Sequence, residues 1–183
     1  MTVEELLQLP TIKGLKLISG NLGIHREIST VTVVDTPDGF QWLKGNEVVI
    51  TTTYALEKTP NAFLDFISKL LSRNISALIV KSDRYIKVIP ENAKKLCDEK
   101  ALPLIYCPAI YAFADIINPT LSGIISKQAE QLKESSKIHE SFLALAINDR
   151  SIHQILQTLS TLIQEPTAYV DTVFHKVYFS ENV

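Results

Sequence analysis

From residue 31 to residue 34 the chain reads Val-Thr-Val-Val, from 48 to 50 Val-Val-Ile, from 77 to 80 Ala-Leu-Ile-Val, and from 104 to 106 Leu-Ile-Tyr. Each run is short, apolar, mostly β-branched and closed by polar or turn-forming residues, the pattern of strands buried in a sheet. An earlier apolar run, 15–18, leads into the turn Ser19-Gly20-Asn21. Between the later runs the spacing becomes helical. Phe63, Phe66, Ile67, Leu70 and Leu71 recur at steps of three and four, one stripe facing a sheet. Thr59-Pro60 supplies the cap and first-turn proline of that helix, and Asn74 a left-handed stop. Pro90 opens another helix with Ala93, Leu96 and Cys97 inward. Thr36-Pro37 reads as the same kind of start for a short helix bearing Phe40, Trp42 and Leu43, stopped at Gly45. At the amino end Thr2 and Glu5 have capping-box spacing, and a helix through Leu9 stops at Pro10. Strand, helix, strand, helix, strand predicts an α/β domain over residues 1–118, a mostly parallel sheet with helices on its faces and right-handed crossovers.

After Asn118-Pro119 the pattern changes. No strong breaker lies between Ile124 and Asn148, so residues 119–149 are predicted as one long connecting helix. Leu121, Ile124, Ile138, Phe142 and Leu145 fit a seven-residue repeat, with Gln128, Gln131 and Ser135 on the same seam. Two readings stand: an amphipathic helix packed on its own domain, or a helix that pairs with a second copy. Residues 150–183 then supply a helix bearing Ile152, Ile155, Leu156, Leu159 and Ile163, and two strands, 168–170 and 173–179. One helix and one hairpin make a truncated α+β segment, expected to open a second domain of a longer protein.

Composition narrows the function. The 183 residues are 46% hydrophobic and 21% charged, enough to fill a core, and the net charge of −2 gives no global attraction to nucleic acid or anionic membrane. No signal peptide and no apolar run of membrane-spanning length is present. Cys97 and Cys107 read as reduced core thiols. The four histidines lack metal-ligand spacing, and no phosphate-binding loop, dinucleotide fingerprint, nucleophile elbow or helix-turn-helix is found. No catalytic residue, metal or cofactor is therefore expected.

Polar residues at strand ends remain. Asp35 follows one strand, Thr51-Thr52-Thr53 a second, and Lys81-Ser82-Asp83-Arg84 a third. If these strands are parallel, the groups converge on the carboxyl edge of the sheet, where open α/β sheets bind ligands. The competing reading is structural: Asp35 and Thr53 cap helices, Glu47 caps a turn and Lys81 is solvated.

The stretches MTVEELLQLP, WLKGNEVVITTTYAL, ALIVKSDRYIKVIPENAKKL and LPLIYCP followed by FADII, in that order and spacing, resemble the N-terminal domain of PucR-type transcriptional regulators over residues 1–125. The layout is also similar, more distantly, to DRTGG-type domains. One departure is Thr53, where the family commonly has glycine. The resemblance implies a cytoplasmic regulator; the DRTGG-type likeness adds a non-catalytic role, and the long helix the expectation of a homodimer. Its effector would be a purine or related metabolite, and it would contact DNA only through a C-terminal helix-turn-helix outside this chain. Residues 150–183 would begin a GAF-like middle domain. From the strand-end cluster, Asp35, Glu47, Thr51, Thr52, Thr53, Lys81 and Arg84 are the candidate ligand-binding residues. Hydroxyls, ammonium and guanidinium would meet carbonyl or carboxylate oxygens, and the two carboxylates ring N–H groups. A domain that only dimerises, and an enzyme fragment acting on a small anion through Cys107 or Asp35, are the alternatives.

Overall fold

The computed structural model describes residues 1–54, 62–81, 85, 88–147 and 151–180, the side chains of 145–147 excepted. The chain forms two compact units, Met1–Lys127 and Gln128–Val183. The first is built on a five-stranded sheet of β1 (Lys16–Ser19), β2 (Thr30–Val33), β3 (Glu47–Thr51), β4 (Ala77–Lys81) and β5 (Leu104–Cys107), in the order β1-β5-β4-β3-β2. β2 to β5 are parallel; β1 runs antiparallel to β5. The sheet is thus mostly parallel, as the alternation of elements predicts, with one reversed edge strand that periodicity alone does not reveal.

Side-chain alternation along β3 and β4 divides the core in two. Val49, Leu78, Val80 and Leu104 face α2 (Ala62–Leu71) and α3 (Glu91–Glu99), with Phe63, Phe66, Ile67, Leu70, Ala93 and Cys97 against them. Val48, Ile50, Ile79, Ile105 and Cys107 face the other way, onto α1 (Val3–Leu7) and the first turns of α4 (Phe113–Ile147). Burial on both faces is why 48–50 and 77–80 are continuous apolar runs rather than alternating ones. The predicted caps at Thr2 and Glu5 form reciprocally, and Asn74 is left-handed at φ 52°.

Three local expectations are corrected. Of the run 31–34 only Val34, just past the strand, is buried: β2 is the sheet's edge, half-exposed along its length, and its β-branched residues serve an edge strand equally well. Thr36-Pro37 does not begin a helix. A single 3-10 turn spans Gly39–Trp42, because its start at Asp38 has no side-chain cap and only Gly39 of the turn is buried. Finally, the long helix begins at Phe113 and runs through Pro119. Asp115 Oδ2 accepts from the Ala112 N–H at 2.7 Å and caps the start. Proline removes one backbone bond, but Ile116, Thr120 and Ile124 are buried, and the Thr120 hydroxyl donates to the Ile116 carbonyl at 2.6 Å. Packing there outweighs the break. Thr59, Pro60 and Asn148, named above as helix signals, lie outside the described residues.

In the second unit α5 (Ile152–Ile163) buries Leu156 and Ser160, and β6 (Ala168–Asp171) pairs antiparallel with β7 (Lys176–Phe179). The Thr167 hydroxyl donates to the Leu156 carbonyl at 2.9 Å, tying the hairpin's start to the helix.

Candidate functional site

The parallel register sets Val33 against Ile50 and Thr51 against Val80, so β2, β3 and β4 end along one edge. Asp35, just beyond β2, is the hub of that edge. Its Oδ1 accepts from the Thr51 hydroxyl at 3.2 Å, the Thr52 amide at 2.6 Å and the Thr52 hydroxyl at 2.9 Å. Each hydroxyl is used twice: Thr51 Oγ1 accepts from the Thr53 amide and Thr52 Oγ1 from the Tyr54 amide. The threonine run thus folds the end of β3 into a turn that satisfies its own backbone. Thr53 is buried and left-handed at φ 64°, a conformation a β-branched residue adopts at a cost of about 1–2 kcal/mol. Glycine would fit this position without strain.

Lys81 ends β4 but belongs to the other face. Alternation puts Thr51 with Val49 and Val80, and Lys81 with Ile79 and Cys107. Its ammonium donates to the Tyr111 carbonyl and lies 4.7 Å from the centre of the Phe113 ring. Asp35, Thr51, Thr52 and Thr53 therefore come together, while Lys81 stands across the sheet from the Thr51 side chain and clamps the start of α4. Ser82, Asp83 and Arg84 lie outside the described residues. Composition missed two aromatic contributions. Tyr111 and Phe113 hold Lys81, and the Tyr54 and Tyr85 rings, which follow β3 and β4, meet edge-on at 5.0 Å. A tyrosine shortly after each strand is the signal that could have found that pair.

Glu47 is not part of this edge. It is the first residue of β3, four positions and about 13 Å from Thr51. Its side chain is buried and Oε2 has no hydrogen-bond partner. Burial pushes its pKa above 4.5, although the Lys44 amide and charge and the Thr32 hydroxyl pull it down. The folded state thus holds the proton more tightly than the unfolded one. Stability is highest with the carboxyl protonated and falls as pH rises from 4.5 through the raised value. Glu47→Gln should therefore gain on the native chain as pH increases. Urea midpoints of both proteins at about pH 4 and about pH 7 measure this; a difference independent of pH would contradict it.

Cys97 and Cys107 are both buried free thiols with pKa values raised to about 11 by burial, which leaves them protonated and poorly nucleophilic at neutral pH. Among the described residues, no cluster of three or more metal-ligating side chains occurs, and no helix is long and apolar enough to cross a membrane.

The fold and its edge define a class: an α/β domain whose polar groups gather at the carboxyl ends of parallel strands and whose last strand leads into a long helix. Residues 5–124 match the purine catabolism regulatory protein-like family, PucR. The chain belongs to this family, as the resemblance of its quoted stretches implies. It is 29% identical over 171 residues to the purine catabolism regulatory protein of Bacillus subtilis (strain 168), covering 93% of this chain and 32% of that protein. The chain thus spans about a third of the length of the curated relative it matches. No solved structure matches it.

Proposed function

We propose that this chain is the non-catalytic N-terminal region of a cytoplasmic transcription regulator of purine or related nitrogen-compound catabolism. In this reading residues 1–118 sense a small effector at the carboxyl edge of the sheet. Residues 119–149 transmit the signal and join two copies, and residues 150–183 open a GAF-like domain. DNA is contacted by a helix-turn-helix outside the chain.

One observation carries the reading: the side chain that ends β4 holds the start of α4, through the Tyr111 carbonyl and the Phe113 ring. An effector bearing a ring carbonyl or carboxylate competes for the Lys81 ammonium, and its capture of Lys81 frees the residues that lead into α4. The Tyr54–Tyr85 pair offers an aromatic surface to a flat heterocycle at the same edge. The switch requires the effector to favour one helix arrangement over the other by a few kcal/mol. Replacing Thr52 and Lys81 together by alanine should abolish the effector's melting shift and leave the far-ultraviolet circular dichroism unchanged. An undiminished shift in the double variant would contradict the site.

A second reading, a dimerisation module with no ligand of its own, is favoured by Asp35, whose Oδ1 already accepts three hydrogen bonds from the protein. It predicts a dimer whose melting no metabolite alters.

A further inference from the structure

The seven-residue stripe predicted from sequence is turned inward at its start: Ile124 is buried in the core of Met1–Lys127 and Leu121 packs against it. Further along α4, Ile138 is on the same seam, 39% exposed, and with Lys133, Glu134, Lys137 and Ser141 lines an open cleft beside Leu162 of α5. Leu145, the last position of that seam, lies outside the described side chains.

About 100° round the helix, one residue on from each position of the first, a second stripe is left open. Ile125, Ala129, Leu132, Ser136, His139 and Leu143 follow one another at steps of four, three, four, three and four, the spacing of a coiled-coil seam. Ile125 is 63% exposed, Leu132 70% and Leu143 49%. A helix that had finished its packing would carry polar residues on this side. We propose that this stripe is where a second copy of the chain docks, in parallel and in register. The inference deepens the dimeric reading above and rests on it.

Three features select that occupant. The stripe runs for nearly three heptads, roughly 27 Å of helix, and a second copy presents the same repeat over the same length. In a parallel pair the flanking positions set Gln128 beside the second copy's Lys133, and Ser135 beside its Glu140, so no like charges meet. An antiparallel pair brings Lys133 against the second copy's Lys133, which is repulsive. Lastly, Ser136 and His139 each meet their own counterpart only in the in-register parallel pair. A slip of one heptad sets them against Ala129, Leu132, Leu143 or Ala146, none of which offers a polar partner.

The test is covalent capture. Both native cysteines are buried, so a thiol introduced on α4 reports on its own surroundings. Leu132→Cys under mild oxidation should run mostly as a disulfide-linked dimer, since facing seam positions fall within bridging distance. Ile138→Cys, off the seam and beside Leu162, should remain mostly monomeric on the same gel. In sedimentation, Leu132→Glu should raise the dimer dissociation constant at least tenfold. A native dimer in which Leu132→Cys fails to link and Leu132→Glu leaves the constant unchanged would overturn the seam while leaving dimerisation standing. A native chain that sediments as a monomer at all concentrations would overturn both.

Discussion

Gly20→Ala should leave the unit Met1–Lys127 unable to hold its fold at 37 °C, with a loss on the order of 4 kcal/mol. Gly20 is left-handed at φ 77°, and a Cβ built there would lie 1.9 Å from the Leu102 carbonyl oxygen and 2.7 Å from the Pro103 nitrogen. These are backbone atoms at the entrance to β5, and Leu102 is fully buried, so neither side can yield cheaply. The Gly20 N–H also donates to Asp98 Oδ1 at 2.5 Å, and displacement would break that tie between β1 and α3. Gly45→Ala is the control. Gly45 is left-handed too, at φ 98°, but its nearest neighbour would be 3.4 Å away. It should lose only the backbone term, about 1 kcal/mol. Chemical denaturation of the two variants separates close approach from conformational strain; equal losses would contradict the account.

Asp35→Ala should cost about 3 kcal/mol and loosen the turn after β3. The carboxylate holds one backbone amide and two hydroxyls, and its removal leaves the Thr52 amide and the Thr51 hydroxyl without their acceptor in a half-buried place. Asp35→Asn keeps an oxygen of the same reach without the charge and should lose about half as much. The turn also holds the strained Thr53 in place, so hydrogen exchange of the Thr52 and Thr53 amides should accelerate in Asp35→Ala ahead of the rest of the sheet. Uniform protection across the sheet in the variant would show that Asp35 is not the hub.

What was legible in the sequence follows from physics that acts locally. Continuous apolar runs at 48–50 and 77–80 mark strands covered on both faces. The stripe Phe63, Phe66, Ile67, Leu70 marks a helix on a sheet, and Asn74 marks its end. Non-local facts were not legible. Whether Val31 lies in a central or an edge strand depends on strand order, which no periodicity encodes. Pro119 reads as a break until the burial of Ile116, Thr120 and Ile124 is known. At the site, the convergence of Asp35 with the threonines was readable from parallel strands ending in polar residues. The separation of Lys81 was not. It turns on a one-residue register, Thr51 against Val80 rather than Lys81, and register reverses the face on which a side chain emerges. The faces of α4 show the same sensitivity: Ile124 and Ile125 are adjacent and equally apolar, and only the structure tells that Ile124 is buried and Ile125 exposed.

Central to the account is a metabolite-responsive edge linked to α4. Thermal unfolding of the 183-residue chain against a panel of purines, ureides and related nitrogen metabolites tests it most directly. An effector at a hundredfold over its dissociation constant should add about 2.7 kcal/mol to stability, a shift expected with one chemical class and lost in the Thr52 and Lys81 double variant. An unchanged melting curve across the whole panel, from a chain that light scattering shows to be a dimer, would contradict it and leave dimerisation as the work of this domain.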